Sequence, residues 1–80
     1  MNGWCKFLSE DENLIKIAYS LEKNNSCDGE LIYSKDTKEI AVAKLATNAG
    51  DVLTKAFICG LRGRMRRGFK FDKIYYIAMY

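Results

Sequence analysis

Arg62, Arg64, Arg66 and Arg67 are the only arginines of the chain, and they fall within six positions at the seam between a helix-periodic segment and an aromatic run. On a helical wheel Val52, Leu53, Ala56, Phe57, Gly60 and Leu61 share one apolar face, with Asp51, Lys55 and Arg62 opposite. Extending that wheel would drive Arg64 and Arg67 into the apolar face, where an unpaired charge is too costly for a domain of marginal stability. The pattern therefore predicts a helix capped by Thr47 or Asn48 and stopping near Arg62. Gly63 would take the left-handed closing conformation, and residues 64–68 would form a basic connection. Gly60, on the apolar face, would let the helix approach a sheet closely.

Five of the ten aromatics, Phe69, Phe71, Tyr75, Tyr76 and Tyr80, follow the arginines. Residues 73–79 read as a final strand whose alternate sides, Ile74, Tyr76, Ala78 and Tyr75, Ile77, Met79, are both apolar. Such a strand is either covered on both faces or presents one face for docking.

Earlier in the chain, residues 3–8 mix aromatic and strand-compatible side chains, which predicts a first strand with Trp4 on one face and Phe7 on the other. Ser9 and Glu12 have the spacing of a capping box. Leu14, Ile15, Ile17, Ala18 and Leu21 then recur at helical intervals, predicting an amphipathic helix over residues 10–24, closed by Asn24, Asn25 and Ser26. Leu31, Ile32 and Tyr33, and Ile40 to Ala43, flank the polar run 34–39 and predict an antiparallel hairpin.

Strand, helix, strand, strand, helix, strand is the order of the split βαβ plan. The expected fold is thus α+β and ferredoxin-like, one antiparallel sheet with two helices on one face, as a single domain over residues 1–80. A three-stranded sheet lacking the first strand is the runner-up. No 18-residue apolar run is present, and the first residues carry no secretory pattern, so a cytoplasmic location is expected. Cys5, Cys27 and Cys59 are odd in number, far apart and flanked by apolar or small residues, which reads as reduced, mostly buried thiols.

The net charge of +3 is unevenly placed. Residues 1–50 carry six lysines against eight acids, or −2, and residues 51–80 carry seven bases against two acids, or +5. With no histidine, no CxxC, no phosphate-binding glycine loop and no nucleophile motif, the chain is expected to be non-catalytic, without cofactor or metal. Glu10, Asp11 and Glu12 diverge around one predicted helical turn and suit its start.

Guanidinium groups stay ionised and bind phosphates bidentately, so Arg62, Arg64, Arg66, Arg67 and Lys70 are the candidate site for nucleic acid or another acidic partner surface. Arg67-Gly68-Phe69-Lys70-Phe71 resembles the opening of the RRM signature octapeptide, departing from it at Lys70, Asp72 and Ile74. Gly60-Leu61-Arg62-Gly63 resembles the GxxG loop of KH domains. Both resemblances would imply RNA or DNA binding, and the residues themselves favour a helix stop and a strand start. The functional expectation is a small regulatory binding protein, of a size common among phage- and plasmid-borne regulators. The alternative is a protein-binding inhibitor, for instance of a nucleic-acid-processing complex, or a homodimer, using Tyr75, Tyr76, Ile77, Met79 and Tyr80.

Overall fold

In the computed structural model, which describes residues 2–21 and 27–78, the first half of the chain is a four-stranded antiparallel meander. Its strands are β1 (Asn2–Glu10), β2 (Leu14–Ser20), β3 (Gly29–Ser34) and β4 (Ile40–Lys44). One helix follows, α1 (Asp51–Arg67), and then β5 (Ile74–Ala78), which returns to pair antiparallel with β1. The sheet order is β4-β3-β2-β1-β5, so β4 and β5 are its outer strands. The fold is α+β, but it is not the two-helix ferredoxin-like arrangement: among the described residues, five strands and one helix replace four strands and two helices.

The helix expected over residues 10–24 is the source of the discrepancy, because its described part is a turn followed by β2. Along β2, Ile15, Ile17 and Tyr19 are buried while Leu14 and Lys16 are exposed, a period of two. Two β-branched residues and a tyrosine also favour extended backbone. The Ser9–Glu12 capping box does not form. Instead an Asp11 carboxylate oxygen accepts from the backbone N–H groups of Asn13 and Leu14, both at 2.8 Å, and closes a tight turn between β1 and β2. The expected helix end at Asn24 to Ser26 lies outside the described residues.

Alternation sorts the strands into two faces. Cys5 and Phe7 of β1, Ile15, Ile17 and Tyr19 of β2, Leu31 of β3 and Ile77 of β5 are buried on the side covered by α1. Trp4, Lys6, Ile74 and Tyr76 share the opposite face by register, as Trp4 pairs with Tyr76 and Lys6 with Ile74. Trp4 and Phe7 thus point to opposite sides, and the 34–39 hairpin turn is closed by a Ser34 N–H to Glu39 carbonyl bond of 2.9 Å.

The helix buries Thr54, Phe57 and Leu61 against the sheet, and Val52, placed on the apolar face by the wheel, is 81% exposed. A Cβ on Gly60 would sit 2.6 Å from Ile77 Cγ2, so a glycine is needed where α1 crosses β5. The N-cap is Gly50, with no side-chain cap bond, rather than Thr47 or Asn48. Tyr19 fastens the incoming link instead: its hydroxyl accepts from the Ala46 N–H at 3.1 Å and lies 3.5 Å from Thr54 Oγ1.

The helix also outruns its expected end. It continues through Gly63 and closes at Gly68, whose φ of 94° and ψ of 156° fall in a region that is nearly reserved for glycine and whose N–H donates to the Met65 carbonyl at 3.2 Å. Residues 64–67 are therefore the last turn of α1, not a loop. All three cysteines are free; Cys5 is buried, Cys27 half-buried and Cys59 exposed. Burial pushes the Cys5 thiol up to about 12, which leaves it unreactive.

Candidate nucleic-acid interface

The last turn of α1 distributes its arginines in different directions, because successive residues are about 100° apart on a helix. Arg62 donates from Nη1 to the Lys38 carbonyl at 2.7 Å, tying the helix to the turn between β3 and β4. Arg64 lies over the Tyr75 ring, its guanidinium carbon 4.9 Å from the centroid, and its Nε is buried without an acceptor among the described residues. Arg66 and Arg67 are exposed at the helix end, where cations complement the negative pole of the dipole.

The segment from helix to β5 is anchored through phenylalanines. Phe69 stacks on Phe7 with centroids 3.8 Å apart and planes 17° from parallel, and Phe71 meets Phe69 edge-on at 5.7 Å. The Asp72 N–H donates to the Phe7 carbonyl at 3.0 Å. Tyr75 completes the anchor by accepting from the Lys70 N–H through its hydroxyl, at 2.7 Å. The Lys70 and Lys73 side chains stay exposed, Lys73 Nζ lying 5.3 Å from the Tyr75 centroid. Of residues 67–71, which resemble the RRM signature, Arg67 ends α1, Gly68 caps it, and residues 69–71 form an anchored connection with one isolated bridge, Phe7 to Phe71, rather than a central strand. Residues 60–63, which resemble a KH loop, are helical.

Beside this corner a cleft of about 570 Å³ opens between the C-terminal half of α1 and the start of β2. Arg62, Arg66 and Lys38 supply its positive charge, and Ile15, Tyr33, Met65 and Phe69 its apolar and aromatic walls. Glu10 is the one carboxylate in the lining, and its Oε2 is held by Lys35 Nζ at 2.6 Å. The Lys35 ammonium also donates to the Asp11 carbonyl at 2.7 Å.

Of the expected anion site, the cleft brings together Arg62 and Arg66; Arg67 and Lys70 are on the exposed corner and Arg64 is turned onto Tyr75. The sequence reading missed Tyr33, Lys38, Met65 and Glu10. Treating β2 as a strand would have found Tyr33, since the Ile15–Tyr33 pairing places both on the helix side. Of the expected interface residues that the structure describes, Tyr75 is half-buried, Ile77 is core and Tyr76 is open to solvent. Met79 and Tyr80 lie outside the described residues. Among the described residues, no group of three or more potential metal-binding side chains comes together, and no helix is long and apolar enough to cross a membrane.

No protein-family model matches the chain, and neither a curated protein nor a solved structure is significantly similar to it.

Proposed function

We propose that this chain is a non-catalytic binding module that engages the phosphate backbone of nucleic acid through the corner formed by Arg66, Arg67, Lys70 and Lys73. One observation carries the reading: these four cations are exposed, and among the described residues none of them is in an ion pair with a carboxylate. Exposed cations without a carboxylate partner, at and just beyond the end of a helix, are suited to polyanions, because binding releases condensed counterions from the nucleic acid. The acidic first half of the chain leaves this end as the one with surplus positive charge.

The test is fluorescence anisotropy with DNA and RNA oligonucleotides across a salt series. Replacing Arg66, Arg67 and Lys70 together with alanine is expected to weaken binding at least tenfold at low salt. The slope of log K against log salt should become shallower by about one for each phosphate that is no longer neutralised. Absence of binding to every DNA and RNA probe at low salt would overturn the proposal.

A second reading, self-association, is favoured by β5. It is an outer strand, and its Ile74 and Tyr76 are 62% and 56% exposed beside Trp4, whose ring lies 5.8 Å from that of Tyr76. An unpaired strand edge with adjoining apolar surface can extend its sheet into a second copy. Light scattering that gives a dimer, converted to monomer by Tyr76→Asp, would support this; a monomer at all accessible concentrations would exclude it.

A further inference from the structure

We infer that the cleft between α1 and β2 is a binding site for one unstacked nucleotide. As part of a strand this rests on the corner reading above, and it adds selectivity for single-stranded over duplex nucleic acid. The walls of the cleft are mixed in character. A phosphate alone would be served by Arg62, Arg66 and Lys38 and would leave Tyr33, Met65 and Phe69 without a partner. A purely apolar ligand would desolvate three cations without pairing them, which is unfavourable. A group with flat apolar ring faces at one end and an anion at the other satisfies both halves, and a nucleotide has that composition. A cleft of 570 Å³ also falls within the range of sites that enclose small molecules.

The side chains are set up for the task. Phe69 is clamped by its stack on Phe7, so it offers a wall whose ordering cost is already met by folding. Arg62 uses Nη1 on the Lys38 carbonyl, which fixes the fork while leaving its remaining N–H groups to donate. The Tyr33 hydroxyl makes no hydrogen bond among the described residues and can read a base edge. Glu10 opposes a phosphate, but its charge is offset by Lys35 at 2.6 Å, and its carboxylate can accept from an exocyclic amine. Phosphates on either side of the inserted nucleotide would pass over Arg67, Lys70 and Lys73. A base paired within a duplex cannot enter, whereas bases of a single strand are free to leave the stack.

Three measurements test this on the wild-type chain and two variants. A single strand of about a dozen nucleotides should bind roughly tenfold or more tightly than its own duplex. Lys38→Glu and Phe69→Ala should each remove most of that difference while leaving duplex affinity within about threefold of wild type. Adenosine 5′-monophosphate alone, titrated into isotope-labelled protein, should shift the amide signals of Ile15, Tyr33, Lys38, Met65 and Phe69. This last measurement needs no variant and stands even if Phe69→Ala unfolds. Equal affinity for strand and duplex, with cleft amides unmoved by the mononucleotide, overturns the inference and leaves the corner intact. If no oligonucleotide binds but the mononucleotide still shifts those amides, the corner reading fails and the cleft stands as a site for a free nucleotide.

Discussion

The guanidinium of Arg64 and the ring of Tyr75 face each other at 4.9 Å, and this contact lets a charged residue occupy the sheet-facing side of α1. The aliphatic stem of an arginine can lie along apolar surface while its head rests on an aromatic face. Tyr75 serves more than the arginine. It accepts from the Lys70 N–H, meets Phe7 edge-on at 5.9 Å and has Lys73 5.3 Å from its centroid, so helix end, connection and β1 converge on one ring.

Substitutions at both residues separate these contributions. Tyr75→Phe keeps the ring and removes the hydroxyl that satisfies Lys70, and should cost about 1 kcal/mol. Tyr75→Leu removes the aromatic ring as well and should cost roughly 2–3 kcal/mol. Arg64→Met should stay within about 1 kcal/mol of wild type, because the cation–π attraction given up is offset by removal of a buried Nε that has no acceptor among the described residues. Urea unfolding of the three variants checks the order. Arg64→Met should also leave oligonucleotide affinity within about twofold, unlike substitutions at Arg66 or Arg67, because its guanidinium is already engaged.

Gly63 and Gly68 should respond with opposite signs. Gly63 lies inside α1, and a Cβ there meets nothing within 4 Å, so Gly63→Ala should stabilise the protein by about 1 kcal/mol and raise the midpoint by roughly 4–8 °C. Gly68 has a φ of 94°, and Gly68→Ala should destabilise by about 1 kcal/mol or more. Thermal unfolding by circular dichroism reads both. A helix that closed at Gly63 would give the reverse pattern.

Both glycine effects follow from a helix end that local sequence pattern did not reveal, although much of the sheet was open to reading. Strand positions in β1, β3, β4 and β5 and the hairpin at 34–39 were legible because turn-forming residues separate short apolar runs. The error at residues 10–24 arose because Leu14, Ile17, Ala18 and Leu21 satisfy helical spacing while Ile15, Ile17 and Tyr19 satisfy strand spacing in the same stretch. Local pattern alone did not choose, and pairing of β2 with both β1 and β3 did. The helix end is not legible locally because the cost of burying Arg64 is offset by Tyr75, a partner eleven residues away. The cleft was illegible for a related reason: Glu10, Tyr33, Lys38 and Arg66 come from separate elements that only the sheet register brings together.

Acid should unfold the protein through its turns. Asp28 is held below the usual 3.8 first by the Thr47 hydroxyl and then by the Thr47 N–H at 3.2 Å, and Asp11 is held below it by the N–H groups of Asn13 and Leu14. A carboxylate whose pKa is depressed on folding contributes stability above its unfolded pKa and gives it up as pH falls through the folded value. With no histidine in the chain, stability should be nearly flat from about pH 5 to 8 and should decline below about pH 4. Chemical unfolding across that range checks the profile, and Asp28→Asn should shift it by weakening the protein near neutrality and flattening the acid limb.

The anchoring of α1 should be most sensitive at Tyr19. Its hydroxyl is the acceptor for the Ala46 N–H, and Ala46 is buried, so Tyr19→Phe leaves a backbone donor without a partner in a site that water does not reach. The expected cost is about 1–3 kcal/mol, well above what a solvent-exposed tyrosine hydroxyl would give. Thr54→Val should cost less, since its oxygen is 3.5 Å from the same hydroxyl and the Ala46 bond survives it. If one hydroxyl links β2, the entry to α1 and its first turn, the two effects will not add: after Tyr19→Phe, Thr54→Val should cost nearly nothing more through that contact. A double-mutant cycle measured by urea unfolding decides this. Full additivity would mean that the Tyr19–Thr54 contact contributes nothing, and that α1 is positioned at this end by the packing of Phe57 on Tyr19 alone, with ring centroids 5.3 Å apart.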